Sequence, residues 1–192
     1  MNVVLTGHTS AMGTFINMHL LCKNYEVVGV SRDTGYDLTK EGEVDRVVDM
    51  CLEADVFINL AHIGTVQALF LKLIDSKWTN KNRLKQVISI GSLVTKLDEE
   101  LLQKIIKNEN FSDLQYFKDK QELDTINNSL ANKKPFGEQP QYTLLRILNY
   151  GPKTGSRENE PTCTSEDICR TCLLYTSPSP RDATLSRMPS SA

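Results

Sequence analysis

The sequence lacks most of what would mark a chain for nucleic acid, lipid or the oxidising exterior. Its 22 basic residues are offset by 24 acidic ones, and no basic block stands out. A formal net charge of −2 argues against binding to phosphodiester backbones or anionic membrane surfaces. Long apolar runs are missing. The most apolar region, Ala54 to Leu71, is interrupted by Asp55, Asn59, His62 and Gln67, so it does not read as a bilayer-spanning helix. The first residues, Met1-Asn2-Val3-Val4-Leu5-Thr6-Gly7, carry neither a basic start nor a long hydrophobic core, which speaks against a secretory signal. Five cysteines make an odd number without a disulfide framework, as expected of thiols in the cytoplasm. There is a single tryptophan, yet 40% of the residues are hydrophobic and 24% charged, the balance of an ordinary globular domain.

What is present is an alternation of short apolar runs and amphipathic stretches. Strands are expected over Asn2–Thr6, Glu26–Val30, Tyr36–Leu38, Asp55–Leu60, Gln86–Ile90 and Tyr142–Leu148. Helices are expected from Thr9 or Ser10 to Lys23, and over Lys40–Leu52, Thr65–Ser76, Leu97–Lys107 and Ser112–Leu130. Such an order predicts an α/β fold, a Rossmann-like doubly wound parallel sheet with helices on both faces. Cys22 and Cys51 fall on apolar helix faces and are expected in the core. His8 and His62 read as loop residues rather than metal ligands, because no carboxylate or cysteine cluster accompanies them.

The segment from Cys172 reads differently. Cys172–Asp182 resembles a transposon mosaic end and its primer site translated in one frame, and Ser186–Ala192 resembles the flow-cell end of the same sequencing adapter. Ala183–Leu185 would then be the sample index. The expectation is one domain over residues 1–171, cut before its last strand, and a non-native disordered tail over 172–192. The Cys169-x-x-Cys172 pair straddles that junction, so no redox or zinc chemistry is assigned to it.

Between the first strand and the first helix stands Thr6-Gly7-His8-Thr9-Ser10-Ala11-Met12-Gly13. Glycines at this place let the backbone turn tightly and approach a pyrophosphate, whose charge meets the helix N-terminus. Ala11 stands where a middle glycine is usual. After the second strand come Ser31 and Arg32. An acid here would bind the adenosine ribose hydroxyls, whereas an arginine suits a 2′-phosphate, which favours NADP(H) over NAD(H). Asp33, one residue on, is the counter-argument.

Together with later segments, these residues resemble the short-chain dehydrogenase/reductase family. Asp37-Leu38 resembles the pair that borders the adenine, and Asn59-Leu60-Ala61-His62 the Asn-Asn-Ala-Gly segment, with two departures. Ser92 ends the serine-bearing segment, and Tyr116-Phe117-Lys118-Asp119-Lys120 is similar to the family's Tyr-x-x-x-Lys. Tyr150-Gly151 stands where Pro-Gly is usual. The resemblance covers residues 1 to about 170.

The resemblance implies a catalytic set of Ser92, Tyr116 and Lys120. It also implies cofactor contacts from residues 6–13, Ser31, Arg32, Asp37, Leu38, Asn59, Leu60, Ala61, Tyr116, Lys120 and Gly151. Four residues apart on a helix, Tyr116 and Lys120 share a face. An ammonium beside a phenol favours the phenolate, which suits a tyrosine that exchanges a proton with a carbonyl or alcohol. In the family's scheme Lys120 would also bond the nicotinamide ribose, and Ser92 would hold the substrate oxygen. The family's fourth catalytic residue, an asparagine on the helix before the serine strand, has no counterpart; Gln67 is the nearest polar side chain.

Three functions follow. The first is an NADP(H)-dependent oxidoreductase of the compact branch acting on a small carbonyl or alcohol. The stretch from Ser92 to Tyr116 is long for that branch and points also to the extended one, the nucleotide-sugar epimerases and dehydratases. Ala11 and the missing asparagine keep a non-catalytic dinucleotide-binding protein as the third. Neither a nucleic-acid nor a membrane partner is expected, and self-association into a homo-oligomer is left open.

Overall fold

The structure is a computed structural model that describes residues 1–97, 100, 114–133 and 138–147. Among the described residues five strands, β1 (Asn2–Thr6), β2 (Glu26–Val30), β3 (Val56–Asn59), β4 (Gln86–Ser92) and β5 (Gln141–Ile147), form one sheet in the order β2-β1-β3-β4-β5. Every pairing is parallel, with Val3 opposite Val27 and Val56, Val56 opposite Gln86, and Gln86 opposite Gln141. Parallel strands need crossovers, and the helices supply them: α1 (Ala11–Cys22), α2 (Glu43–Glu53), α3 (Val66–Lys77) and α4 (Leu114–Ala131). The expected doubly wound α/β architecture is therefore the one observed.

The two layers of core explain why the central strands are apolar at nearly every position. Val3 and Leu5 of β1, with Val56 and Ile58 of β3, pack on Ile16 and Leu20 of α1. Val4 and Phe57 point to the other face, against Val47, Val48 and Cys51 of α2 and Phe70, Leu71 and Ile74 of α3. A strand covered on both faces has no polar side to show, so its sequence loses the alternation of a half-exposed strand.

Two expectations about this region are corrected. Tyr36–Leu38 is not a strand. A single 3-10 turn at Arg32–Thr34 follows β2, and the Asp37 carboxylate takes the amide and hydroxyl of Thr39 at 3.2 and 2.7 Å. That local bond bends the chain where a strand would have to run straight. Cys22 is exposed rather than in the core, whereas Cys51 is buried. With Ile16 and Leu20 facing the sheet, a residue two positions beyond Leu20 lies on the far side of the helix.

Helix bounds follow local chemistry. Ser10 caps α1 by accepting the Gly13 amide at 3.0 Å. α2 begins at Glu43, after Gly42, rather than at Lys40. β4 runs two residues further than expected, so that Ser92 closes it. The helix expected over Leu97–Lys107, apart from Leu97 and Glu100, lies outside the described residues, as do Tyr150, Gly151 and the segment from 148 to 192.

The far side of the sheet is pinned by one buried carboxylate. Asp124 of α4 receives Arg146 of β5 through both Nε and Nη2, Thr95 Oγ1 at 2.8 Å and Lys96 Nζ at 3.2 Å. Burial opposes its charge, but Arg146, Thr95 and Lys96 outweigh it and hold the carboxyl at about 2. Because this is below the unfolded value, the contribution is whole above about pH 4 and is lost as pH falls through 2. Its size is about 2 kcal/mol. Urea midpoints of Asp124→Asn should fall well below wild type at neutral pH and converge with it near pH 2. A loss of equal size at both pH values would contradict this account.

Candidate functional site

Winding reverses between β1 and β3, and in such sheets ligands bind outside the carboxyl ends of the strands at that crevice. The turn after β1 is built for close approach. Gly7 has φ +70°, and a Cβ there would meet the backbone of Ala61, in the loop after β3, at 3.3 Å. At Gly13 a Cβ would lie 2.1 Å from the Gly7 carbonyl oxygen and 2.7 Å from the His8 Cα. The first turn of α1 therefore rests directly on the cradle, with its amides at the anion-binding end of the helix. Ala11, in the place of the middle glycine, is an exposed first residue of α1. Thr9 and Ser10 are exposed beside it, whereas Met12 turns into the core.

Thr6 is spent on architecture. Its hydroxyl oxygen accepts the amides of Leu60 and Ala61 at 3.0 and 3.1 Å and the hydroxyl donates to the Ile58 carbonyl. This staple fixes the loop after β3 against the cradle. The His8 ring lies over Gly29, where a Cβ would come within 2.5 Å of it, and its buried Nδ1 has no partner among the described residues. Asn59 Oδ1 is likewise buried without one. An orphaned buried polar atom such as His8 Nδ1, within a glycine-lined turn, is what a site shaped for a polar ligand would leave.

At the outer end of the crevice Arg32 is exposed on the turn that Ser31 caps. Leu38 is buried, and Asp37 is held below the usual carboxylate range chiefly by its bonds to Thr39. The Asp37 carboxylate is committed to its own turn and lies within electrostatic reach of Arg32.

The carboxyl ends of β3 and β4 carry a buried polar network. Asn59 Nδ2 donates to the Gln67 carbonyl at 2.9 Å and to Ser89 Oγ at 3.3 Å. Gln67 Nε2 donates back to the carbonyls of Asn59 and Ile90 at 2.8 and 3.2 Å. Lys120 reaches this network from α4, donating to Gln67 Oε1 at 2.6 Å and to the Ile90 carbonyl at 3.0 Å. Its ammonium lies 5.6 Å from the centre of the Tyr116 ring. Burial pushes that ammonium down to about 8, against the pull of Asp119.

Gln67 is therefore the principal partner of Lys120, a link 53 residues long that sequence spacing does not display. Ser92, nearly buried, ends β4 and accepts the Val94 amide at 3.4 Å. Tyr116, half-buried in the first turns of α4, meets the His62 ring edge-on at 4.8 Å. His62 in turn lies 3.4 Å from the buried Asp119 carboxylate. Sequence spacing does not bring His62 and Asp119 to Tyr116; the one hint is a histidine where the family segment has glycine. Among the described residues no cluster of His, Cys, Asp and Glu could hold a metal ion, and no helix is long and apolar enough to cross a membrane.

A parallel sheet in this order, with its winding reversed between β1 and β3 and a glycine turn after β1, is a Rossmann-like fold. Residues 3–91 match the NAD dependent epimerase/dehydratase family, which bears out the resemblance read from the sequence. Among solved structures, a 3-ketoacyl-(acyl-carrier-protein) reductase from Brucella melitensis complexed with NADH superposes with a TM-score of 0.68 at 16% identity, over 92% of this chain and 90% of that one. BdcA in complex with NADPH gives 0.66 at 13% identity, over 92% and 87%. A GDP-L-fucose synthetase from Naegleria fowleri gives 0.59 at 16%, over 91% and 68%. No curated protein matches the chain.

Proposed function

We propose that this protein is an NADP(H)-dependent oxidoreductase that moves hydride between a nicotinamide and the carbon of a small carbonyl or alcohol. The observation that supports the reading most is that Lys120, on the same helix as Tyr116, reaches the polar network at the carboxyl ends of β3 and β4, where Ser92 closes β4, while the Gly7–Gly13 turn follows β1. The residues present fit a dinucleotide: a turn that any Cβ would fill, an orphaned polar atom at His8, and an arginine at the ribose end. The bound cofactor would supply the hydride chemistry. The protein's part is to hold and polarise. Backbone amides of residues 7–13 receive the pyrophosphate, and Ser31 and Arg32 a 2′-phosphate. Ser92 orients the substrate oxygen, Tyr116 gives it or takes from it a proton, and the Lys120 charge, fixed by Gln67, favours the phenolate that results.

The match of residues 3–91 to an epimerase and dehydratase family supports a second reading, in which the same hydride step serves to epimerise or dehydrate a nucleotide-sugar. Residues 172–192 are proposed to be a foreign tail without part in the site.

The test is thermal unfolding of the full chain with each dinucleotide. A ligand that binds only the folded state must raise the midpoint, and at a hundredfold excess over Kd the shift is on the order of 5–10 °C. NADPH should exceed NADH, and Arg32→Ala should bring the two together by lowering the NADPH shift alone. Removing residues 172–192 should leave these shifts as they are. A cooperative melt that neither dinucleotide moves would overturn the reading.

A further inference from the structure

We propose that His62, held by the buried carboxylate of Asp119, is the residue that positions Tyr116 and returns its proton from solvent. This inference rests on the reading of Tyr116 as the proton donor. Its geometry stands independently.

Consider first how His62 is placed. The loop that carries it is clamped by Thr6, which binds the amides of Leu60 and Ala61 just before it. The chain therefore presents His62 to α4 from a fixed base. There the imidazole Nε2 lies 3.4 Å from Asp119 Oδ2, and the ring edge packs on Tyr116 with its plane inclined by 62°. Asp119 is only 4% exposed, and its other oxygen accepts Gln115 Nε2 at 2.8 Å. A carboxylate so buried is costly unless a positive partner sits beside it, which favours the imidazolium of His62. Among the described residues, α4 brings Tyr116 and Asp119 against His62, and Lys120 Nζ lies 5.6 Å from the centre of the Tyr116 ring.

Next consider which group can trade protons with water. A tyrosine that gives its proton to a carbonyl oxygen must be reprotonated before the next turnover. Lys120 is 5% exposed, and its amine is directed to Gln67 and the Ile90 carbonyl. The His62 side chain is 31% exposed and touches the same phenol ring. Of the two basic side chains flanking Tyr116, His62 is the more exposed to solvent. It is also the side chain whose ordinary titration lies near neutral pH. A bound reduced nicotinamide dinucleotide would supply hydride to the carbonyl carbon, while the phenol gives its proton to the oxygen, yielding the alcohol. The phenolate takes a proton from the imidazolium, and the neutral imidazole is recharged by a proton from the buffered solvent, the one proton that the reduction consumes.

The first test needs neither substrate nor cofactor. The full chain is labelled with carbon-13 at the tyrosine ζ-carbon, and Tyr116 is assigned by its loss in Tyr116→Phe. With three histidines in the chain, His62 is assigned by its loss in His62→Gln. As pH is raised through neutrality, the Tyr116 resonance should move with the titration of His62. The movement should vanish in His62→Gln. In Asp119→Asn, which keeps the Gln115 bond, it should shift to lower pH. A Tyr116 resonance indifferent to both substitutions in folded protein would overturn the proposal. In turnover, His62→Gln should lower kcat about tenfold with KM unchanged, and added imidazole should restore part of it. Wild-type rates and pH profile in that variant would also overturn it. If Tyr116 and His62 titrate together while no dinucleotide binds, the pairing stands and the oxidoreductase reading falls.

Discussion

Tyr116→Phe should lower NADPH-dependent reduction of carbonyl compounds by roughly 10²–10⁴-fold, the range of a positioned general acid. The substitution removes one oxygen. It leaves the ring that packs on His62 and the apolar surface of α4. The nucleotide-induced rise in melting midpoint should therefore persist at nearly its full size, which separates loss of chemistry from loss of fold. Turnover is to be followed by the disappearance of reduced-nicotinamide absorbance with a panel of aldehydes and ketones. Lys120→Met is the useful companion. It removes a charge that Gln67 and the Ile90 carbonyl now hold, so it leaves the buried Gln67 Oε1 unpaired and should also destabilise the fold. A phenylalanine variant as fast as wild type would remove Tyr116 from the mechanism.

The second large effect belongs to the cradle. Gly13→Ala should abolish the nucleotide-induced shift and destabilise the free protein by about 2–3 kcal/mol. By helix propensity alone an alanine would be preferred there by about 1 kcal/mol. Sterics decide the sign. The new methyl carbon would stand 2.1 Å from the Gly7 carbonyl oxygen and 2.7 Å from the His8 Cα, both of them backbone. No rotamer change relieves such a clash, so α1 must move off the turn proposed to receive the pyrophosphate. Thermal melts with and without NADPH read both effects at once. An alanine variant that melts like wild type and still responds to NADPH would show that helix and turn are not so closely joined.

Much of the site could be read from the chain because its signals are local. Strand β1, the glycine turn and the Ser10 cap follow one another over residues 2–13, and each is specified by its immediate neighbours. Tyr116 and Lys120 lie on one helix, where spacing alone decides that they share a face. Local reasoning failed where a side chain competed with the backbone, as when Asp37 bound Thr39 and bent a supposed strand into a turn. It failed at Cys22, because an apolar stretch of α1 did not show which face meets the sheet.

The partners of the two catalytic candidates were beyond such reading. Gln67 could be named as a polar side chain on the right helix, but its bond to Lys120 depends on how α3 and α4 pack over β4. His62 read as a loop residue because nothing near it in sequence could bind it; Asp119 and Tyr116 come to it from another helix. By itself, then, the sequence determined the alternation of strands and helices, the parallel sheet and the cradle, since periodicity and turn chemistry act over a few residues. Only the tertiary structure decided which buried groups face Tyr116 and Lys120. Hydrogen bonds and ring contacts between distant segments exist only once the crossovers have brought the carboxyl ends of β3 and β4 beneath α4.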